Sequence, residues 1–303
     1  MNEFKPLSLE AMDALMPYFK QKESVFCDYS VGGRFMWREY FQMEYIVVDE
    51  TLIIKNIDEG KMFFELPIGP NWLKAFAFIW DYCKENREQL RFAILNKRDV
   101  EVLQKYFFRT RLSYERGWSD YIYDAHSFKE FKGKRYSKKR NHLNGFHNAY
   151  PNHSLEVLDK DNLDELRTFF IDYRNRHSKD SPVYVEENNR VLEVLDHLEY
   201  YKMFGLILRV DGKIVAFSMG ERIGETLYVH IEKAETAIRG AYTKMAHAFA
   251  NEFADESIKW INREEDTNDM GLRKSKFSYK PDKIANKYQL EVLPRKIETL
   301  VIR

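Results

Sequence analysis

Late in the chain an apolar segment, Trp260-Ile261-Asn262, runs through Arg263 into Glu264, Glu265 and Asp266, with Asp269 close behind. A carboxylate at the end of a strand is placed to take a proton from an attacking amine, directly or through one water. Glu264 and Asp266 are therefore the expected bases, with Asn262 beside them and Tyr279 as proton donor to a leaving group. Acids this close repel one another, so some must be neutralised, and Arg273, Lys274 and Lys276 stand one or two turns on. Upstream, His230 and Glu232 alternate with apolar residues and share one strand face, which makes both candidates for substrate contact. Between these groups, Arg239-Gly240-Ala241-Tyr242-Thr243 opens a helical pattern. Glycine lets backbone approach a ligand and a helix start offers unpaired N–H groups. This turn, with Lys274 and Lys276, is the expected cofactor-binding element.

A second cluster lies mid-chain. From Lys129 to Arg140 there are seven Lys or Arg and one acid, Glu130. Lys138, Lys139 and Arg140, with Lys134 and Arg135, form a candidate phosphate surface interleaved with Tyr136, His142 and His147. The plainer alternative is a solvated helix whose cations face water. Covalent serine chemistry, NTP hydrolysis and zinc are not expected, because no Gly-x-Ser-x-Gly, Walker, GxGxxG or zinc-ligand spacing occurs.

The elements that must position these residues follow from periodicity. Apolar stripes predict helices near 8–19, 35–41, 71–83 and 100–107, with strands at 45–48, 51–55, 61–66, 92–95 and 118–123. After a basic linker at 128–150 come helices from 161 and 187, and strands at 204–210, 213–222 and 226–233. A helix from 239, a strand at 257–262, a helix at 270–278 and a strand at 285–293 finish the chain. Both halves read helix, helix, three strands, helix, strand, helix, strand. That order matches the GNAT acyltransferase fold, an α/β (α+β) mixed twisted sheet flanked by helices. Two tandem GNAT-like modules are expected, at 1–127 and 151–303.

Bulk composition agrees with a globular protein. The 303 residues are 44% hydrophobic and 15% aromatic, and 48 basic residues balance 48 acidic ones. A disordered chain and a global polyanion binder are both excluded. Cys27 and Cys83 are expected to be reduced thiols, and a soluble cytoplasmic location is expected.

Three blocks, KRYSKKRNHLNGF, IRGAYTKMAHAFA and NREEDTNDMGLRKSKFSYKP, resemble bacterial proteins that share the C-terminal domain of phosphatidylglycerol lysyltransferase. That group is similar to the Fem-type aminoacyl transferases, which have two GNAT-like modules. The resemblance implies acyl or aminoacyl transfer by direct attack of an amine or hydroxyl. The donor would be a coenzyme A thioester or an aminoacyl-tRNA, held near Arg239-Gly240. GNAT enzymes that bind coenzyme A usually read Gln/Arg-x-x-Gly-x-Gly/Ala at this turn. Here Ala237 stands three before Gly240 and Tyr242 two after, so the central glycine alone matches, which is compatible with a tRNA-borne donor. The alternative is a non-catalytic GNAT-fold protein that binds RNA or an anionic surface through the basic stretch.

Overall fold

A computed structural model describes residues 3–22, 24–177 and 181–293. The first elements are β1 (Lys5–Pro6), α1 (Met12–Phe19), α2 (Val31–Trp37), β2 (Glu44–Val48), β3 (Thr51–Asp58) and β4 (Lys61–Phe64). Then come α3 (Trp72–Asn86), β5 (Arg91–Leu95), α4 (Lys97–Tyr106), β6 (Thr110–Tyr114), β7 (Asp120–Asp124), α5 (Ala125–Glu130) and α6 (Ser137–Ala149). They are followed by β8 (His153–Val157), α7 (Leu163–Arg176), α8 (Pro182–Asp196), α9 (Leu198–Tyr201), β9 (Phe204–Val210) and β10 (Lys213–Ile223). The chain closes with β11 (Thr226–Ala234), α10 (Ala241–Phe253), β12 (Trp260–Asn262), α11 (Met270–Ser278), β13 (Lys283–Ala285) and β14 (Tyr288–Val292).

Two compact units result, each on its own mixed sheet. The first takes the chain up to Ser24, then Trp37–Ser119 and the end from Ala285. Its strands run β1-β2-β3-β4-β5-β14-β6. Phe76 and Ile79 of α3 and Leu103 of α4 pack on Ile53, Phe64, Phe92 and Leu290 of that sheet. α4 starts at a capping box in which the Asn96 side chain accepts from the Asp99 amide and Asp99 accepts from the Asn96 amide, satisfying donors that a helix start leaves open.

The second unit comprises Val25–Met36 and Asp120–Ile284, with strand order β13-β7-β12-β11-β10-β9-β8. Met245 and Phe249 of α10 join Leu206, Leu208, Leu227 and Ile261 of the sheet in one core.

Several expectations change here. β7 was expected to close the first half but pairs with β12 in the second sheet. The single strand expected at 285–293 is two, β13 in the second sheet and β14 in the first. The units therefore divide elsewhere than at 127 and 150. The basic stretch is no linker: Phe128, Phe131, Tyr136 and Phe146 lie in the core of the second unit. α2 begins at Val31, not Phe35, because Gly32 and Gly33 serve as helix residues. A Cβ on Gly32 would stand 2.1 Å from Met203 Cε and 2.9 Å from Glu221 Oε1, so a larger residue there would have to displace the ends of both side chains. Among the described residues no helix is long and apolar enough to cross a membrane.

Candidate active site

The site is organised by two parallel strands that part. β12 pairs with β11 at Thr226↔Trp260, Leu227↔Ile261 and Tyr228↔Asn262 and ends there, while β11 continues to Ala234. Glu232 stands on the continuing strand and Arg263 is the first residue beyond β12, so the two face each other where the ladder stops. Arg263 Nη2 donates to Glu232 Oε1 at 2.5 Å. The Arg263 side chain is 9% exposed, and its guanidinium carbon lies 4.5 Å from the Tyr279 ring centroid and 5.8 Å from that of Phe128. Burial works against the arginine's charge, but Glu232 and the Tyr279 and Tyr123 hydroxyls more than offset it, so Arg263 stays cationic. Glu232 Oε2 and Arg263 Nη1 are both buried and, among the described residues, neither has a hydrogen-bond partner. Leaving a buried charged group short of a partner costs at least about 1–3 kcal/mol. One acceptor and one donor thus stay open on the two partners of this ion pair.

Lys139 joins them from α6. That helix buries Tyr136, Lys139 and Phe146 and half-buries Leu143 and Tyr150 along one stripe, so a lysine occupies an apolar position. Lys139 is 7% exposed, and its Nζ sits 3.2 Å from the Tyr279 ring centroid. Burial first, then the Arg263 charge, push its pKa down to about 7, with Glu232 a partial counterweight. Tyr279 is buried, and burial pushes its phenol pKa up against the opposing charge of Arg263. It is a platform under two basic side chains.

The acids expected to act as bases are differently employed. Asp266 is fully buried. Its carboxylate accepts from Arg273 Nε and Nη2, both at 2.7 Å, from the Tyr121 hydroxyl at 2.6 Å and from the Asn268 amide at 3.0 Å. Burial would raise its pKa, but these bonds hold it below the usual range. Such a carboxylate is a weak base, and Asp266 staples the loop before α11. Glu264 accepts from His230 Nδ1 at 2.7 Å, and Glu221 accepts from His230 Nε2 at 2.9 Å. Burial opposes charge on the imidazole, yet the two carboxylates push its pKa up to about 10, so it is an imidazolium locked between acids. Asn262 donates to the Val25 carbonyl at 2.6 Å and to Asp120 Oδ2 at 2.8 Å, and accepts from the Glu264 amide at 2.6 Å. Lys276 Nζ donates to the carbonyls of Arg263 and Glu265, which fixes the backbone that carries Arg263. Asp120 and Glu265 also crowd Cys27 and Asp28, with one potential ligand atom from each within 4.8 Å of the others. Asp120 Oδ2 accepts from the Cys27 amide at 2.8 Å as well as from Asn262, so this cluster holds the fold.

The expected cofactor turn is a tight helix start. Gly240 has φ +87°, and a Cβ there would lie 2.9 Å from the His142 carbonyl oxygen of α6. Ala241 and Thr243 are buried, Arg239 and Lys274 are exposed, and the Tyr242 hydroxyl lies 3.2 Å from that of Tyr173. In the basic stretch Lys138 is exposed, whereas Arg140 donates to the carbonyls of Phe131 and Gly133 and Arg135 pairs with Asp282 at 3.0 Å. The structure therefore gathers Glu232, Tyr279, Lys139 and Thr243 and sets Asp266, Glu264, Asn262 and His230 in a separate supporting network.

The family described as "Phosphatidylglycerol lysyltransferase, C-terminal" matches residues 19–291. This chain belongs to that family. A solved protein of unknown function from Bacteroides thetaiotaomicron superposes with TM-score 0.89 at 29% identity, over 97% of this chain and 100% of that one. FemX superposes with TM-score 0.60 at 9% identity, over 96% of this chain and 97% of its own, which shows a shared fold. An uncharacterized protein of Mycoplasmoides gallisepticum is 21% identical over 202 residues, 66% of this chain and 61% of that protein. The chain thus spans under two thirds of that relative's length. In this member of the lysyltransferase family the residue that sequence reasoning passed over is Arg263. Its signal was position: the first charged residue after a short strand, directly before the acids that drew attention.

Proposed function

We propose that this chain is an aminoacyltransferase that moves an aminoacyl group from an aminoacyl-tRNA ester to a hydroxyl or amine. The observation that carries this is the open pair at the strand parting, Glu232 Oε2 and Arg263 Nη1. An aminoacyl ester presents an α-ammonium three bonds from its carbonyl oxygen, a donor and an acceptor that complement those atoms. A simple acyl thioester of coenzyme A offers the carbonyl and no ammonium, and leaves Glu232 unsatisfied at about 1–3 kcal/mol. The close approach of α6 to Gly240 also argues against a pyrophosphate cradle at that turn.

In this scheme Glu232 orients the aminoacyl group and Arg263 polarises the ester carbonyl, then stabilises the oxyanion that forms on attack. A fixed guanidinium in a water-poor site suits that role, because it needs no reorganisation as charge develops. Tyr279 holds the two basic side chains in register. The acceptor reading takes its lead from the family: phosphatidylglycerol is the named acceptor there, and its glycerol hydroxyl fits a direct attack.

The test is incubation of the protein with a pool of tRNAs charged with 14C-amino acids and phosphatidylglycerol vesicles, beside a parallel assay with 14C-acetyl-coenzyme A. Label moving from tRNA to lipid, lost in Glu232→Gln, supports the proposal. Transfer from acetyl-coenzyme A alone would overturn it.

A further inference from the structure

Two of the buried lysines in this unit end on acceptors and two, Lys139 and Lys244, do not among the described residues. Lys233 Nζ donates to Glu187 at 2.7 Å, and Lys276 Nζ donates to two backbone carbonyls. Lys244, also buried, is shifted by desolvation alone, with no charged neighbour contributing. Lys139 differs from Lys233 and Lys276 in lacking an acceptor, and from Lys244 in facing an aromatic ring and charged neighbours. Its Nζ points onto an aromatic face, has no hydrogen-bond acceptor among the described residues, and stands beside a pair that itself has open valences. α6 has water-facing positions to spare, as Lys138 one residue earlier shows. Placing this lysine on the buried stripe costs desolvation without an ion pair in return, which marks a functional group more than a structural one.

Two basic groups share the Tyr279 ring, at 3.2 Å for Lys139 and 4.5 Å for Arg263. A guanidinium does not give up its proton, so the ammonium yields. With its pKa lowered to about 7, the amine exchanges between charged and neutral forms at neutral pH, and its neutral form carries a lone pair next to the carbonyl-polarising arginine.

Resting on the aminoacyl-transfer reading above, we propose that Lys139 Nζ is the catalytic base that takes the proton from the attacking hydroxyl or amine and returns it to the departing ribose oxygen. As the nucleophile's oxygen or nitrogen bonds to the ester carbon, its proton passes to Nζ. When the carbonyl re-forms, the ester bond to the ribose oxygen breaks and that oxygen takes the proton from the Nζ ammonium. The amine is regenerated, no proton is gained or lost overall, and no co-reactant is needed. The sequence places this lysine among phosphate contacts; the geometry moves it to the reacting atoms.

The experiment joins a titration to a rate. In protein labelled with 13Cε-lysine, the Lys139 resonance, identified by its loss in Lys139→Arg, is followed against pH beside the pH profile of 14C-aminoacyl transfer from charged tRNA to phosphatidylglycerol vesicles. The proposal expects a resonance midpoint near 7 and kcat/KM rising through the same pH. Lys139→Arg, always charged, should lower kcat by about 100-fold or more with KM little changed. Lys139→Cys alkylated with bromoethylamine should regain activity with the profile moved to lower pH. A midpoint above 9, or transfer that survives Lys139→Arg with an unaltered profile, overturns the base while leaving aminoacyl transfer standing. A midpoint near 7 with no transfer by the unaltered protein overturns the function, and this role with it.

Discussion

Two buried charge clusters in the second unit look alike in composition and differ in saturation. In one, His230 is held by Glu221 and Glu264 at 2.7–2.9 Å, and Asp266 is held by Arg273 at 2.7 Å and Tyr121 at 2.6 Å. In the other, Glu232, Arg263 and Lys139 share one hydrogen bond and, among the described residues, leave an acceptor, a donor and an amine open. A closed network holds position; the open one is where the proposed aminoacyl donor would bind. The acids drew attention first because they are dense in sequence, yet density is what lets them neutralise their own neighbours.

The comparison is broken most severely at Arg263. Arg263→Met leaves Glu232 buried without its partner and should destabilise the fold by about 3–5 kcal/mol, read as a fall in urea midpoint, with loss of transfer in whatever remains folded. Equal stability with full activity would mean the open cluster is incidental. Asp266→Asn attacks the closed network and should cost about 2–3 kcal/mol through lost charge-assisted bonds, while kcat of the folded fraction stays within about threefold. Asp266 has a depressed folded pKa, so its contribution is present above its unfolded value of 3.8 and is lost as pH falls through the folded value. The variant should therefore flatten the acid limb of stability against pH.

His230 carries the opposite sign. Its folded pKa is raised from 6.5 to about 10, so its contribution is complete below pH 6.5 and declines as pH rises toward 10. His230→Gln should be least stable relative to the unaltered protein in acid, with the difference narrowing in alkali. A difference that widens in alkali would show that the imidazole is neutral when folded. The smallest effect belongs to water-facing cations: Lys134→Ala and Lys138→Ala together should change stability by no more than about 0.5 kcal/mol and leave transfer unchanged.

Much of the architecture was legible because periodicity reports burial. The stripe Met12, Leu15 and Phe19 lands where expected, and β11 lies where its pattern placed it, although it is buried on both faces rather than one. What was not legible depends on long-range pairing. β6 is exposed along most of its length and β8 along much of its own, so neither carries the apolar signature of a buried strand. That β7 and β14 pair in the sheets opposite to sequence order is a fact of topology that no local pattern encodes. Within the site, Glu232, Tyr279 and Lys139 were picked out by type, but their roles changed because role depends on which valences a neighbour fills. Gly240 was read as a ligand-facing turn; the proximity of the His142 carbonyl gives it a packing reason.

The most direct test of the open pair compares two donors that differ only in the α-ammonium: aminoacyl-tRNA and its N-acetylated form. If Glu232 holds that ammonium, the unaltered protein should prefer the free form by about 10–100-fold, and Glu232→Gln should abolish most of the preference. Equal use of both donors by the unaltered protein would contradict the assignment of Glu232 and Arg263 as the aminoacyl site.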